Sequence, residues 1–473
     1  MTVVGLGGWG VSRTRGVRSR GDTVTDVRPG IRVDVHSRVF NGQDLQLASF
    51  LKVVVAPGHP EYAALIHAGA NVAQALAWAL APSGATETWR LDELARRRGP
   101  GLATSDDPEI LRDRENADRR FRDALRVILP GTEFFRLYLD RLTPGARAIL
   151  GRPAAARLAR MAGAGVLSGD EADFLLGSEG PERALLAIRP LDAFRRYTYY
   201  RYLSVWELFQ GLGPGPGDVD VVVPTVAAFD GPLCPRATPT PQGDQLIAMT
   251  RLVTLCGGRL HPLVPFDQRR PADARDSLAV VQDAVDHRGF VGVTLSAPLG
   301  GGSASEDRSL HALLAWCARE EVAVVAPGAH VRGARAGSGL RAEPEVWSRL
   351  LALYPGLQLG VRALAGDIPE GSPWRRSELM HGSDWLRRSI EGEARNVLLH
   401  GDPVSRRLDE GGTARAILGD NAASFLGLRK GRRTRERLER FYDRQRMAGP
   451  EWMRALDEPG LGRGTSTSER SAV

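Results

Sequence analysis

The sequence predicts an α/β protein, built as a (β/α) barrel of the TIM type with a helical insertion after its first strand. Short apolar runs alternate with helical periodicity from residue 219 onward, which is the pattern of a parallel sheet covered by helices. A further strand is predicted upstream at 33–39, and residues 120–210 have helical periodicity. Polar residues follow several predicted strands, as they do on the active-site rim of a barrel.

The predicted elements alternate regularly in the second half of the chain. Strands are predicted at Val219–Pro224, Leu260–Phe266, Val291–Leu295, Val322–Ala326, Leu357–Val361 and Glu378–His381. Helices are predicted at Gln242–Leu255, Ser277–His287, Ser309–Glu320 and Pro344–Leu353. Upstream, apolar spacing predicts a helix over 60–80, whereas the strongly charged residues 95–120 are interpreted as a solvated connection.

The predicted organisation is one barrel flanked by two tails. Residues 1–30 are rich in Gly and Arg and are predicted to form a disordered basic arm, and residues 456–473 a disordered tail. The barrel is expected to span 31–455 and to include the helical insertion at 95–215.

Composition excludes several classes of protein. The chain has 473 residues, of which 42% are hydrophobic, and no apolar run is long enough to span a membrane. The first residues do not form a secretion signal, so we expect a soluble, cytoplasmic protein. Three widely spaced cysteines (Cys234, Cys256 and Cys317) predict buried thiols. Lys52 and Lys430 are the only lysines among 63 basic residues, which excludes a Walker-type phosphate loop.

The first predicted strand carries Asp34, His36 and Arg38 between valines. Side chains two positions apart on a strand share a face, so these three are expected to line one site at the strand's end. A His-x-His pair at this position would clamp a metal ion on one rigid strand. Arg38 occupies the second position, and a guanidinium has no lone pair to offer a metal.

Several motifs follow one another along the chain in a familiar order. They are DVHSRVFNGQDL at 34–45, RLHPLVPFD at 259–267, GFVGVTL at 289–295, YPGLQL at 354–359, HGSDW at 381–385 and NAASFLGL at 421–428. The ordered set resembles the amidohydrolase-related family of metal-dependent hydrolases, whose barrels hold one or two divalent ions. The resemblance covers residues 32 to about 455 and implies a TIM-type barrel with hydrolase chemistry.

The resemblance implies a metal site that this chain retains only in part. His36 and Asp384 match metal-binding and catalytic positions, and His330 and Asp230 are weaker candidate ligands. The second histidine of the first strand is replaced by Arg38. Other departures and candidate site-lining residues are Asp34, Arg38, Thr294 (in place of a lysine), Ser296, Pro327 and Ala363 (in place of histidines) and Arg362.

The last part of the barrel is expected to be incomplete or distorted. About eighteen residues separate the sixth predicted strand from the HGSDW motif, which is too few for a helix, a strand and a second helix. The seventh unit is therefore predicted to be missing or vestigial, unless residues 386–410 supply it out of order.

Three functions compete at this point. The favoured one is a pseudoenzyme that binds a small molecule or a partner protein without a cofactor, with Arg38 paired to Asp384 in place of a metal. A simpler interpretation makes His36, Arg38 and Asp384 a satisfied polar cluster with no function. The first alternative is a hydrolase of C–N or ester bonds that uses one weakly held divalent ion, such as zinc.

The second alternative is a nucleic-acid-associated protein that uses its basic segments. An aromatic–arginine stripe at 194–202 could stack on bases, but we interpret it as a helix face packed on its own domain. The basic helix within 428–446 is interpreted as a solvated surface helix with internal ion pairs. No membrane contact is expected, and homo-oligomerisation stays open.

Overall fold

A parallel β-sheet of six strands forms the centre of the structure, which is a computed structural model. The described residues are 31–58, 60, 63–99, 107–128, 194–211, 219–226, 237–266, 274–295, 308–326, 344–361, 380, 382 and 416–458. The strands are β1 (Val33–Arg38), β2 (Val221–Thr225), β3 (Leu263–Phe266), β4 (Gly292–Leu295), β5 (Ala323–Ala326) and β6 (Leu359–Val361).

The strands lie side by side in chain order, and every neighbouring pair is parallel. Crossovers between parallel strands are almost always right-handed, so a sheet in chain order collects its helices on one face. A doubly wound sheet would instead reverse its order at a switch point. The sheet curls into a half-barrel surrounded by helices, which confirms the α/β class and is compatible with part of a TIM-type barrel.

Twelve α-helices lie within the described ranges. They are α1 (Leu47–Phe50), α2 (Ala63–Leu80), α3 (Gly84–Arg98), α4 (Pro108–Ile128), α5 (Arg201–Gly211), α6 (Gln242–Leu255), α7 (Ala274–His287), α8 (Arg308–Glu320), α9 (Pro344–Leu353), α10 (Asn421–Phe425), α11 (Arg433–Gln445) and α12 (Glu451–Asp457). Shorter 3-10 turns cover Gly42–Asp44 and Ala56–Gly58, and π-helical turns cover Leu51–Val55 and Ala416–Asp420. Helix α12 includes the first two residues of the predicted tail.

The charged residues 95–120 form helices, and the prediction of a solvated connection there is wrong for the described residues. Asp107 starts α4, since its side chain accepts hydrogen bonds from the backbone N–H groups of Glu109 (2.9 Å) and Ile110 (3.2 Å). The opposite charges also pair between α3 and α4. Arg98 contacts Asp107 at 2.5 Å and Arg90 contacts Asp113 at 2.6 Å. The many charged side chains of this segment therefore include ion pairs that join α3 to α4.

A contiguous apolar core joins the sheet to α3, α4 and α5. Ile110 on α4, with Tyr202 and Trp206 on α5, belongs to the same buried cluster as the valines of β2 and β4. Cys256 and Cys317 are buried free thiols, as predicted, and Cys234 lies outside the described residues. Within the part of the chain that the structure describes, no helix is long and apolar enough to span a bilayer.

Residues 380 and 382 contact both edges of the sheet. The Met380 side chain lies against Gly360 of β6, where an added Cβ would be 3.4 Å from Met380 Cε. A Cβ added to Gly382 would be 2.7 Å from the Cβ of His36 on β1. Because β1 and β6 are the two edge strands, this segment brings the last part of the predicted barrel beside the first strand. The rest of Glu378–His381 lies outside the described residues.

Candidate binding site at the end of the first strand

Strand β1 contains a β-bulge at the predicted site. Asp34 pairs with Val222 and Ser37 pairs with Pro224, so β1 uses one more residue than β2 over this stretch. Arg38 then pairs with Thr225, which lies three residues after Val222 on β2. Residues an odd number of positions apart on a strand point to opposite faces, and paired residues point to the same face. Asp34 and Arg38 therefore lie on opposite faces of the sheet. The prediction that Asp34, His36 and Arg38 share one face is therefore wrong, because it assumed a regular strand.

Asp34 has a structural role within the bulge. It is fully buried, and its Oδ1 accepts a hydrogen bond from the backbone N–H of His36 at 3.1 Å. This bond holds the backbone where the register shifts. His36 and Arg38 are half-buried.

Arg38 shares a sheet face with polar residues of two other strands. Thr225 of β2 pairs with Arg38 on one side and with Leu263 of β3 on the other. Two residues further along β3, Pro265 pairs with Thr294 of β4. Paired residues and residues two apart face the same way, so Arg38, Thr225 and Thr294 lie on one face. Thr294 is buried (2% exposed).

Tyr197 is a site residue that sequence analysis missed. Its ring stacks on Phe40 just beyond β1 with 5.4 Å between centroids, and its backbone oxygen accepts the N–H of Gly42 at 2.6 Å. Burial raises the pKa of Tyr197 to about 12, although the charges of Arg38 and Arg196 act to lower it. The phenol therefore stays protonated at neutral pH. The aromatic–arginine spacing of 194–202 gave a signal, but nothing in it pointed to β1.

The turn after β1 is anchored by a buried cluster that we call the anchor triad, made of Asp44, Glu87 and Arg201. Arg201 forms two hydrogen bonds to Asp44, Nη2 to Oδ1 at 2.5 Å and Nε to Oδ2 at 3.1 Å. Its Nη1 lies 3.0 Å from Glu87 Oε2, and its backbone N–H donates to Glu87 Oε1 at 2.5 Å. All three side chains are at most 1% exposed.

Asn41 connects the anchor triad to the end of β1. Its backbone N–H donates to Asp44 Oδ2 at 2.9 Å, and its Oδ1 accepts from the N–H of Gln43 at 2.9 Å. Its Nδ2 donates to Glu87 Oε2 at 3.1 Å and to the carbonyl oxygen of Pro82 at 3.2 Å. Asn41 and Asp44 of the DVHSRVFNGQDL motif therefore hold the backbone in place, and both are buried.

The described part of the chain includes one of the four predicted metal ligands, His36. Among the described residues, no group of three or more His, Cys, Asp or Glu side chains is placed to hold an ion. His36 is described, and the residue two positions further along is an arginine, which repels a cation and cannot bind one. Other predicted site residues lie outside the described residues: Asp230, Ser296, His330, Arg362 and Asp384.

Arginines of the two basic segments are engaged inside the protein. In the 194–202 stripe, Arg195, Tyr199, Arg201 and Tyr202 are buried, which confirms that the stripe packs on its own domain. The stripe is not one helix face, because residues 197–200 form a turn before α5. On α11, Arg437 is 5% exposed, with Nε 2.9 Å from Asp286 Oδ1 and Nη2 donating to the carbonyl oxygen of Glu320 at 2.9 Å. The prediction of a solvated surface helix is wrong for Arg437, because α11 packs on the ends of α7 and α8 there, whereas Arg435 and Glu439 form a predicted ion pair within the helix at 2.7 Å.

Comparisons of this chain with protein-family models, with curated proteins and with solved structures find no match.

Proposed function

We propose that the protein is an amidohydrolase-like barrel that acts as a pseudoenzyme, binding a small molecule or a partner protein at the mouth of its sheet. The observation that carries the proposal is the position of Arg38. It lies at the carboxyl end of β1, two residues after His36, on the sheet face that also carries Thr225 and Thr294. In barrels of this kind, the carboxyl ends of the strands form the functional rim.

Electrostatics favour an anion over a metal ion in this mouth. A guanidinium stays protonated at any physiological pH, and its repulsion of a nearby cation at a partly buried site is worth several kcal/mol. The same charge attracts a carboxylate, which a guanidinium can bind through two parallel hydrogen bonds. The carboxylate belongs either to the protein or to a ligand.

We propose Asp384 as the internal carboxylate that Arg38 binds. Gly382 lies against His36, and Asp384 follows Gly382 by two residues, a distance that the chain spans in about 7 Å when extended. Arg38 follows His36 by the same spacing of two residues, so the side chains of Arg38 and Asp384 come from neighbouring parts of the backbone. A ligand carboxylate would then compete with Asp384 for the guanidinium.

The test is to restore the family pattern and measure metal content. We expect purified, unchelated wild-type protein to hold far less than one metal ion per chain by elemental analysis. The Arg38→His variant should gain zinc, because it supplies a second imidazole beside His36. Arg38→Gln is the matched control, since it removes the charge without adding a ligand and should not gain zinc.

The opposite result would favour the single-metal hydrolase. Near-stoichiometric zinc, iron or manganese in the wild-type protein, lost in Asp384→Ala, would overturn the pseudoenzyme proposal and justify a screen of amide and ester substrates. We carry no nucleic-acid function forward, because the described arginines of the stripe and several on α11 are held in internal ion pairs.

A further inference from the structure

The anchor triad contains more buried negative charge than positive charge. Asp44 and Glu87 are two carboxylates that share the guanidinium of Arg201, and none of the three is more than 1% exposed. Two carboxylates that share one buried site seldom both ionise, because each raises the proton affinity of the other. Asp44 has the bidentate contact with Arg201, which leaves Glu87 as the carboxylate that takes up the proton.

The groups around Glu87 have opposite effects on its pKa. Burial is the largest influence and raises the pKa of Glu87 to about 7, with Asp44 acting in the same direction. Arg201 and the amide of Asn41 act to lower it. On the α5 side lies the Tyr200 phenol, whose pKa Glu87 helps to raise. On the α6 side, Asp244 packs against Gly84, the first residue of α3.

We propose that Glu87 is a protonation switch for the turn that leaves β1, residues 41–45. With Glu87 protonated, the anchor triad is neutral and holds this turn against α3 and α5. With Glu87 ionised, the triad carries one uncompensated negative charge, and the turn loosens. The step is the uptake or release of one proton, exchanged with water when the turn opens.

The turn is coupled to the candidate site by backbone contacts. Asn41 follows Arg38 by three residues, and the N–H of Gly42 donates to the backbone oxygen of Tyr197 at 2.6 Å. Loosening the turn therefore moves both the end of β1 and the ring that stacks on Phe40. The inference goes beyond the proposed function and does not depend on what the mouth binds.

Trp78 provides a direct reporter of the turn. The indole Nε1–H of Trp78 donates to the backbone oxygen of Leu45 at 3.0 Å. Gln43 Nε2 donates to the backbone oxygen of Trp78 at 2.9 Å. In the full chain, ¹⁵N-labelled tryptophan gives one indole resonance for each of nine tryptophans. The Trp78→Phe variant identifies the relevant resonance.

The experiment is a pH titration of the Trp78 indole resonance from about pH 5.5 to about pH 8.5, a range that extends to both sides of the raised pKa of the buried Glu87 carboxyl. We expect the wild-type resonance to titrate with a midpoint near 7, the pKa of Glu87, and the Glu87→Gln resonance to be independent of pH. Glu115→Gln is the matched control, because the Glu115 side chain is 68% exposed, and it should retain the wild-type curve.

Two outcomes would overturn the proposal. One is a wild-type Trp78 resonance that does not move over this range while the protein stays folded. The other is a titration that persists unchanged in Glu87→Gln. If that variant does not fold, Asp44→Asn replaces it. Removing the second carboxylate should lower the midpoint by at least about one pH unit, and an unchanged midpoint would contradict the switch.

Discussion

His261 is a buried histidine whose two ring nitrogens both have partners. Nδ1 lies 2.8 Å from the carbonyl oxygen of Gly289, which only accepts hydrogen bonds, so Nδ1 carries the hydrogen. Nε2 lies 2.6 Å from the hydroxyl of Tyr442 and 3.0 Å from the carbonyl oxygen of Gly258, and because burial lowers the pKa of the ring to about 4, Nε2 accepts the tyrosine hydrogen at neutral pH. The nearby Gly258 oxygen accepts from Trp452 Nε1 at 2.8 Å. The ring is therefore neutral, and it links the segment before β3 to α11 and α12.

We expect His261 to make stability fall on acidification. Burial lowers its pKa to about 4 from an ordinary value of 6.5, so the unfolded chain binds the proton more tightly than the native protein does. The stabilisation is complete above pH 6.5 and is lost as the pH falls through 4. Its upper limit is about 3–4 kcal/mol, because the pKa falls from 6.5 to about 4 and each pKa unit is worth about 1.36 kcal/mol.

The measurement compares urea unfolding midpoints of wild type and His261→Asn at pH 7 and pH 5. The variant should be less stable at pH 7 by about 1–3 kcal/mol, since it loses a buried hydrogen bond, and the difference should shrink at pH 5. His287→Asn is the control, because His287 is exposed. A difference that stays constant between the two pH values would show that His261 does not titrate as expected.

At the scale of single residues, the sequence identifies His36 and Arg38 but not the residues that hold the end of β1 in place. The motif places both residues at the end of β1, where the structure also has them. The anchor triad is invisible in the sequence, because Arg201 is 157 residues from Asp44 and 114 residues from Glu87. The bulge that separates Asp34 from Arg38 is equally invisible, since it depends on how β1 pairs with β2.

Among the secondary-structure elements, the contact between Gly382 and β1 predicts a tight requirement for glycine. A Cβ at position 382 would be 2.7 Å from the Cβ of His36, closer than van der Waals contact allows. Gly382→Ala should therefore push the segment away from β1 and lower the free energy of unfolding by about 1–3 kcal/mol. The midpoint of denaturant unfolding measures this change.

Gly243→Ala is the matched control for that substitution. Gly243 lies near the start of α6, and an added Cβ there would meet nothing within 4 Å. Alanine also favours helix over glycine by up to about 1 kcal/mol, so this variant should be as stable as wild type or more stable. Equal stability of Gly382→Ala and wild type would mean that the segment does not pack tightly on β1.

The elements themselves differ in how far the sequence determines them. The bounds of α6 and α9 are predicted to the residue, because each helix presents a regular apolar face next to a turn signal. Residues 95–120 are misread because several of their charged side chains pair between α3 and α4, and a single sequence does not show which charges meet. The start of β3 is placed three residues early, because Leu260 forms only an isolated bridge with Val222 and the regular strand begins at Leu263.

For the molecule as a whole, the shared core predicts a single cooperative unfolding transition. Ile110 and Ala117 of α4 and the buried apolar residues of α5 belong to the same cluster as those of the sheet, so this part of the insertion shares its core with the sheet. Ile110→Ala, at a site 2% exposed, should lower the free energy of unfolding by about 2–4 kcal/mol. Calorimetry should show the whole transition moving to lower temperature.

The neighbouring residue supplies the control. Leu111 is 40% exposed, so Leu111→Ala should cost well under half as much as Ile110→Ala. A second calorimetric transition, shifted by Ile110→Ala while the main transition stays in place, would show that the insertion unfolds independently of the sheet.

The pairing of β1 with β2 has a consequence for folding while the chain is still being synthesised. The backbone N–H of Arg32, just before β1, donates to Asp220, just before β2, and 188 residues separate them along the chain. At a synthesis rate of about 5–20 residues per second, the first strand leaves the exit tunnel roughly 10–40 s before its only neighbour among the described strands. Until then its valines and its backbone edge stay uncovered, and the nascent chain depends on chaperones or on its own early helices to avoid aggregation.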